Sequence, residues 1–124
     1  MARILIDTNI VIDLMRRREG ANDFVVGLTE KPFLSTLTIA ELFAGAHRRS
    51  EDQSIRNFVA GTMAIGVDAE IAEEAGHILR RYRPSHGLDI VDATVAATAI
   101  CYQLQLATLN RRHFPMLEDL LVPY

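Results

Sequence analysis

The stretch that most constrains this chain is Arg3-Ile4-Leu5-Ile6-Asp7-Thr8-Asn9, a short apolar run that stops on a carboxylate with no turn residue inside it. A run this apolar and this brief predicts a buried central strand that delivers Asp7 to its C-terminal end. In open α/β sheets ligands bind outside the carboxyl ends of the strands, so the prediction gives Asp7 a location as well as a charge. A plainer use stands beside it: Asp, Thr and Asn cap helices well, and a helical pattern begins near Ile10. Taken alone, the cap is the simpler reading of Asp7.

Downstream the apolar spacing alternates between strand and helix. Ile10, Val11, Leu14 and Met15 recur at helical spacing and end in Arg16-Arg17-Arg18 and Gly20, and Phe24, Val25 and Leu28 mark a second short helix before Lys31-Pro32. Phe33-Leu34-Ser35 predicts the next strand, and residues 36–46 the helix after it. Within that helix Thr38 and Glu41 have capping-box spacing, which gives Glu41 a structural use. Its place just beyond a predicted strand argues for a site instead.

Residues 51–60 carry Ile55, Phe58 and Val59 on one helical face, and 64–67 form a strand candidate. Asp68 is set to cap a helix with Ile71, Ala75, Ile78, Leu79 and Tyr82 on one face, ended by Pro84 and Gly87; His77 on it is a surface or packing residue. Asp89 is a sound N-cap for the small-residue helix that follows. Asp92 then falls in the first turn, where the helix dipole favours an anion and where a ligand site is equally at home. The next strand is predicted at 106–109, with Asn110-Arg111-Arg112-His113-Phe114 leaving its end, and 120–122 is a candidate edge strand. Strands alternating with helices imply right-handed crossovers: an α/β fold with a short, mostly parallel sheet of four to five strands, flanked by helices on both faces.

Length and composition narrow the class. At 124 residues, 49% hydrophobic and 23% charged, the expectation is one globular domain spanning 1–124. The single cysteine, Cys101, lies in a small apolar helical run and is expected in the core, as suits a reducing cytoplasm. No apolar run is long enough to span a bilayer, and the first one meets Asp7 too early for a signal peptide, so the mature protein is expected to be the whole chain, without membrane contact. A net charge of -3 argues against a generically basic nucleic-acid binder. Yet the cations are twelve Arg against one Lys and come in groups, at 16–18, 48–49, 80–83 and 111–112. Arg offers a planar fork suited to phosphate, although solvated helix ends explain such groups too.

Asp7, Glu41, Asp92 and Asn110 are far apart in sequence, and each falls past the end of a predicted strand or at the start of a helix. One sheet edge would gather them. Clustered carboxylates repel and push pKa values up unless a cation neutralises them, and the expected cation is Mg²⁺, with Mn²⁺ as substitute, because hard metals take oxygen ligands. Such a site suits phosphodiester hydrolysis by metal-activated water, with no covalent nucleophile.

Ile4-Leu5-Ile6-Asp7-Thr8-Asn9, the block at 35–42, the block at 92–99 and Ala107-Thr108-Leu109-Asn110-Arg111-Arg112-His113-Phe114 together resemble the PIN-domain ribonuclease toxins of VapBC toxin-antitoxin modules. The likeness covers essentially the whole chain in the family's order. It implies magnesium-dependent endoribonuclease activity on an RNA substrate, neutralisation by a cognate antitoxin, and a homodimer or a hetero-oligomer with that antitoxin. By position Asp7, Glu41 and Asp92 match the family's acidic metal ligands, and Asn110 matches a fourth catalytic position that is often Asp. Asn110 would therefore ligate weakly or orient a water; Asp89 either supplements the site or caps its helix; Thr8 and Thr108 would bond the carboxylates, with a purely structural use the alternative for each. For an antitoxin's apolar anchors, Leu14, Met15, Leu42 and Phe43 are candidates, with plain core packing the alternative for each.

Two other classes remain at this stage. One is a catalytically inactive PIN-like domain that only binds the antitoxin, for which Asn110 is the best support. The other is phosphoryl transfer by a haloacid dehalogenase-like phosphatase or a receiver domain. Against it, Asn9 stands where the phosphatase needs a second Asp, and Lys31 is the only Lys.

Overall fold

The structure, a computed structural model, describes residues 3–124. Four three-residue strands, β1 (Ile4–Ile6), β2 (Phe33–Ser35), β3 (Met63–Ile65) and β4 (Gln105–Ala107), form one sheet in the order β3-β2-β1-β4, with every pairing parallel. Six helices accompany them: α1 (Thr8–Met15), α2 (Glu19–Val26), α3 (Thr36–Ala44), α4 (Arg49–Ala60), α5 (Ala69–His86) and α6 (Ile90–Tyr102). This is the expected parallel α/β architecture, with four strands.

Alternation along β1 explains why its sequence is apolar throughout. Leu5 faces a core built with α5 and α6, around Ile71, Ile78, Ala96, Leu106 and Phe114. Ile4 and Ile6 face the opposite core, with Ile10, Val11, Leu34, Leu42 and Ile55 from the α1, α3 and α4 side. A strand covered on both faces has no polar side to show. The chain leaves β1 toward β2 on one side and returns to β4 on the other, so connections diverge between β1 and β4, where α/β folds open a crevice.

Several boundaries differ from expectation for physical reasons. β3 starts at Met63, before the predicted 64–67, because Met63 and Ala64 lie exposed on an edge strand and carry no burial pattern. The candidate strand at 120–122 amounts to one parallel bridge, Ala107 with Leu121, and Pro123 close behind it offers no N–H to extend a ladder. Pro84 does not end α5: it lies inside the last turn, and termination falls to Gly87, whose φ of 61° reverses the chain in the left-handed region. Asp68 and Asp89 cap α5 and α6 as expected.

The capping-box reading of Thr38 and Glu41 is corrected. Ser35 is the N-cap of α3, accepting from the Leu37 N–H at 3.1 Å, so Thr38 and Glu41 lie inside the helix with their side chains free for other partners. α6 is buried from Ala93 through Ala99, its small residues allowing close packing, while Thr94 and Thr98 donate their hydroxyls to carbonyls one turn back. Cys101 is half-buried and packs against the first core. Of the four apolar anchor candidates, Leu42 is core, Met15 packs against that core, Leu14 is half-buried and Phe43 is exposed. Among the described residues no helix is long and apolar enough to cross a membrane.

Candidate active site

Asp7 follows β1 directly, and its backbone N–H donates to the Ala107 carbonyl of β4 at 2.9 Å. The residue both caps α1 and stands at the point between β1 and β4 where the connections diverge. Oδ1 accepts from the Thr8 N–H at 2.9 Å, and Oδ2 accepts from the Thr108 hydroxyl at 2.7 Å. With Asp7 only 6% exposed, burial pushes its carboxyl up to about 6. The bonds from Thr108 and Thr8 oppose that rise, and the charges of Asp92 and Glu41 add to it.

Glu41 projects from α3 toward the same place, its Oε1 accepting from the Thr8 hydroxyl at 2.7 Å. Thr8 Oγ1 also lies 3.3 Å from Thr38 Oγ1, so a pair of buried hydroxyls meets beside Glu41, and Thr8 joins Glu41 to Asp7 through its hydroxyl on one side and its backbone N–H on the other. On the other flank, buried Thr108 accepts the Asn110 N–H at 3.0 Å while donating to Asp7. The Asn110 amide is 2.8 Å from His113 Nδ1, which is 2.9 Å from Asp92 Oδ2. Asp92 and Asp89 complete a capping box at the start of α6. Partial burial and the Asp89 charge raise the Asp92 carboxyl, against the bonds to Asp89 and His113.

A continuous run of contacts thus joins Glu41, Thr8, Asp7, Thr108, Asn110, His113 and Asp92 along one sheet edge. It does not make a closed cage. Among the described residues no three His, Cys, Asp or Glu side chains stand together as a metal-holding group. Asp7 and Glu41 share Thr8, whereas Asp92 is reached through His113.

The donor set nevertheless fits a hydrated hard cation. All the acids offer oxygen, and Mg²⁺ typically keeps several waters beside one or two carboxylates. Burial, the main cause of the raised Asp7 carboxyl, leaves its ionised form poorly solvated, a cost that a cation beside it would offset. Two residues on in the chain, Asn9 Oδ1 is buried without a hydrogen-bond partner.

Thr8 and Thr108 bond the carboxylates as expected from the resemblance, and Asp89 is the helix cap. The sequence reading gave Thr38 only a capping use, and it gave His113 no role beyond its place in the block Ala107–Phe114. The available signal for His113 was its spacing, three residues after Asn110 and immediately before the apolar anchor Phe114.

Fold and site together define a class, and comparison agrees: the PIN domain family model matches residues 4–118, and the chain belongs to that family. Within it, the chain is similar to Ribonuclease VapC19 of Mycobacterium tuberculosis, at 41% identity over 97% of this chain and 98% of that one. Ribonuclease VapC10 of the same organism is 37% identical, over 98% of this chain and 92% of its own. Among solved structures, a chain of a toxin-antitoxin complex from Klebsiella pneumoniae superimposes with a TM-score of 0.84 at 29% identity, covering 98% of both chains.

Proposed function

We propose that this chain is a magnesium-dependent endoribonuclease, the toxin of a type II toxin-antitoxin module. The observation that carries the reading is the linkage of Asp7 to Glu41 through Thr8 and toward Asp92 through Thr108, Asn110 and His113, at the crevice between β1 and β4. Relatives named ribonucleases over nearly their full length support the same activity.

Asp7, with Glu41 and Asp92 on its flanks, would hold the cation, Mg²⁺ or Mn²⁺. When bound, it supplies positive charge for the oxygens of the reacting phosphate and acidity for the attacking water. The chain's own residues do the rest. Thr8 and Thr108 fix the Asp7 and Glu41 carboxylates by 2.7 Å bonds, so they need not reorganise during reaction. The exposed Arg111 and Arg112, in the 3₁₀ turn directly after Asn110, are placed to take backbone phosphates. Water oxygen adds to phosphorus, the bond to the 3′ oxygen breaks, and that oxygen takes up a proton, which leaves a 5′-phosphate and a 3′-hydroxyl.

Two measurements test this. Sequencing the ends of RNA cut by the purified protein with Mg²⁺ should find 5′-phosphates; a 2′,3′-cyclic phosphate would reject hydrolysis by water. In parallel, Mg²⁺ should raise the melting temperature, since ligand at about 100 times its Kd adds roughly 2.7 kcal/mol to a native state that binds it. No metal response and no cleavage would favour the inactive, antitoxin-binding reading.

Toxin-antitoxin complexes among the structural neighbours support an antitoxin as protein partner. A basic side chain entering the acidic crevice would compete with the cation, and the exposed Ile12 of α1 and Phe43 of α3 offer apolar contact outside the core. A saturating cognate antitoxin peptide should abolish cleavage, and undiminished cleavage would reject this mode of inhibition.

A further inference from the structure

His113 lies in the run of contacts with a geometry that a surface histidine would not need. Its Nδ1 is within bonding distance of both the Asp92 carboxylate, at 2.9 Å, and the Asn110 amide, at 2.8 Å. A carboxylate only accepts, so the contact with Asp92 requires Nδ1 to carry its hydrogen. The Asn110 atom at 2.8 Å is Nδ2; with the amide turned end for end, its oxygen and Asp92 Oδ2 share the one Nδ1–H as a three-centre bond.

The Asp92 carboxylate is held unevenly. Its Oδ2 takes the His113 bond and the long 3.5 Å contact from the Asp89 N–H, whereas Oδ1 takes no hydrogen bond among the described residues. One oxygen is tied and the other is left for a ligand. The Asp89 contact is too long to orient the group by itself, so the orientation falls to His113.

His113 is itself well anchored. It closes the 3₁₀ turn Arg111–His113, its N–H bonds the Asn110 carbonyl at 3.1 Å, and the next residue, Phe114, is wholly buried in the first core. The turn therefore cannot swing without withdrawing Phe114. Through Asn110 and Thr108 the same turn is bonded back to Asp7, so the acids of β1 and α6 share one support.

We propose that His113 is a positioning residue for the divalent-cation site: by tying Asp92 Oδ2 and the Asn110 amide at once, it aims Asp92 Oδ1 at the crevice that Asp7 and Glu41 share. The inference rests on the metal-dependent reading above. Partners that orient a metal-binding carboxylate typically contribute about 10- to 100-fold in metal affinity or activity.

Mn²⁺ binding, followed by calorimetry and by the electron paramagnetic resonance of free Mn²⁺, provides a readout separate from cleavage. In His113→Ala, Mn²⁺ affinity is expected to fall roughly 10- to 100-fold. His113→Asn, whose amide nitrogen can stand near the Nδ1 position, should recover most of the loss. In an Asp92→Asn background, His113→Ala should change affinity by less than about twofold, because the two act as a unit. His113→Ala that melts lower without metal but binds Mn²⁺ as wild type does would overturn the proposal, leaving His113 a structural residue. So would equal loss in His113→Ala and His113→Asn, each of them folded. If the wild-type protein itself shows no Mn²⁺ binding, the metal-dependent reading fails and this inference falls with it; wild-type binding that is merely insensitive to His113 removes the inference alone.

Discussion

Asp7→Asn is expected to lose cation-dependent RNA cleavage while making the metal-free protein more stable. Asp7 would hold the cation that faces the reacting phosphate, and losing one group that stabilises charge there typically costs about 10²–10³ in rate. The stability gain follows from burial. The Asp7 carboxyl is pushed from 3.8 to about 6, chiefly by desolvation. At about 1.4 kcal/mol per pKa unit, holding it ionised in the fold costs on the order of 3 kcal/mol. Because the folded pKa is the higher one, the folded state holds the extra proton between pH 4 and 6. Stability from this group therefore falls as pH rises through that window, and the cost is complete above about 6.

Asparagine removes the charge and still accepts the Thr8 N–H, although its NH₂ end obliges Thr108 to turn its hydroxyl. The net gain above pH 6 is then about 1–2 kcal/mol, or roughly 3–10 °C in melting temperature for a domain of this size. Thermal unfolding in chelator from pH 4 to 8 should show Asp7→Asn pulling ahead of wild type as pH rises. On adding Mg²⁺ the wild type should recover and the variant should not. Undiminished cleavage by Asp7→Asn would refute the site assignment, and a variant less stable than wild type at pH 8 would refute the burial argument.

This double character of Asp7 shows how much of the molecule was legible in advance. Ile4-Leu5-Ile6 announces its strand because residues facing either core must be apolar, and a strand that central fixes where the next residue emerges. The cap and the site stand as rivals in the sequence, yet the cap occupies only Asp7 Oδ1 while Oδ2 reaches across to Thr108 of another element, so capping does not preclude a site: a carboxylate has lone pairs to spare. Edge elements were harder. β3 exposes Met63 and Ala64 and is set by pairing with β2, which leaves no mark on its own sequence.

Glu41 illustrates a local template met by coincidence. Thr38 and Glu41 have the right spacing for a capping box, but Ser35 already occupies the cap, and what the two residues touch is Thr8, on another helix. His113 escaped for a related reason. Its meaning depends on α6 beginning beside the end of β4, a juxtaposition created by the crossover and not by any local pattern. Sequence reading located the sheet edge that gathers the acids; the hydroxyls and imidazole between them are defined by contacts across elements.

Thr108→Val tests how much depends on one such hydroxyl. Thr108 is fully buried, and its Oγ1 serves two partners, donating to Asp7 Oδ2 at 2.7 Å and accepting the Asn110 N–H at 3.0 Å. Valine matches its shape, so packing is nearly unchanged and the chemistry alone is removed. Each buried partner left unsatisfied costs about 1–3 kcal/mol, the carboxylate at the upper end. A loss of about 2–4 kcal/mol at pH 7–8 is expected, on the order of 10 °C in melting temperature. Because the Thr108 bond opposes the rise of the Asp7 carboxyl, its removal pushes that carboxyl higher still. The deficit relative to wild type should accordingly narrow as pH falls toward 6, where the variant's folded state takes up the proton before the wild type's does, and stay at its smaller value below that. Thr108→Ser keeps the hydroxyl and gives up one methyl, so it should lose only about 1 kcal/mol and retain most cleavage. In Thr108→Val, cleavage should fall by about 10- to 100-fold, since Asp7 loses the donor that fixes Oδ2. Equal stability of the valine and serine variants at pH 8 would mean that the hydroxyl does not hold Asp7, and the two flanks of the crevice would then lack their common support.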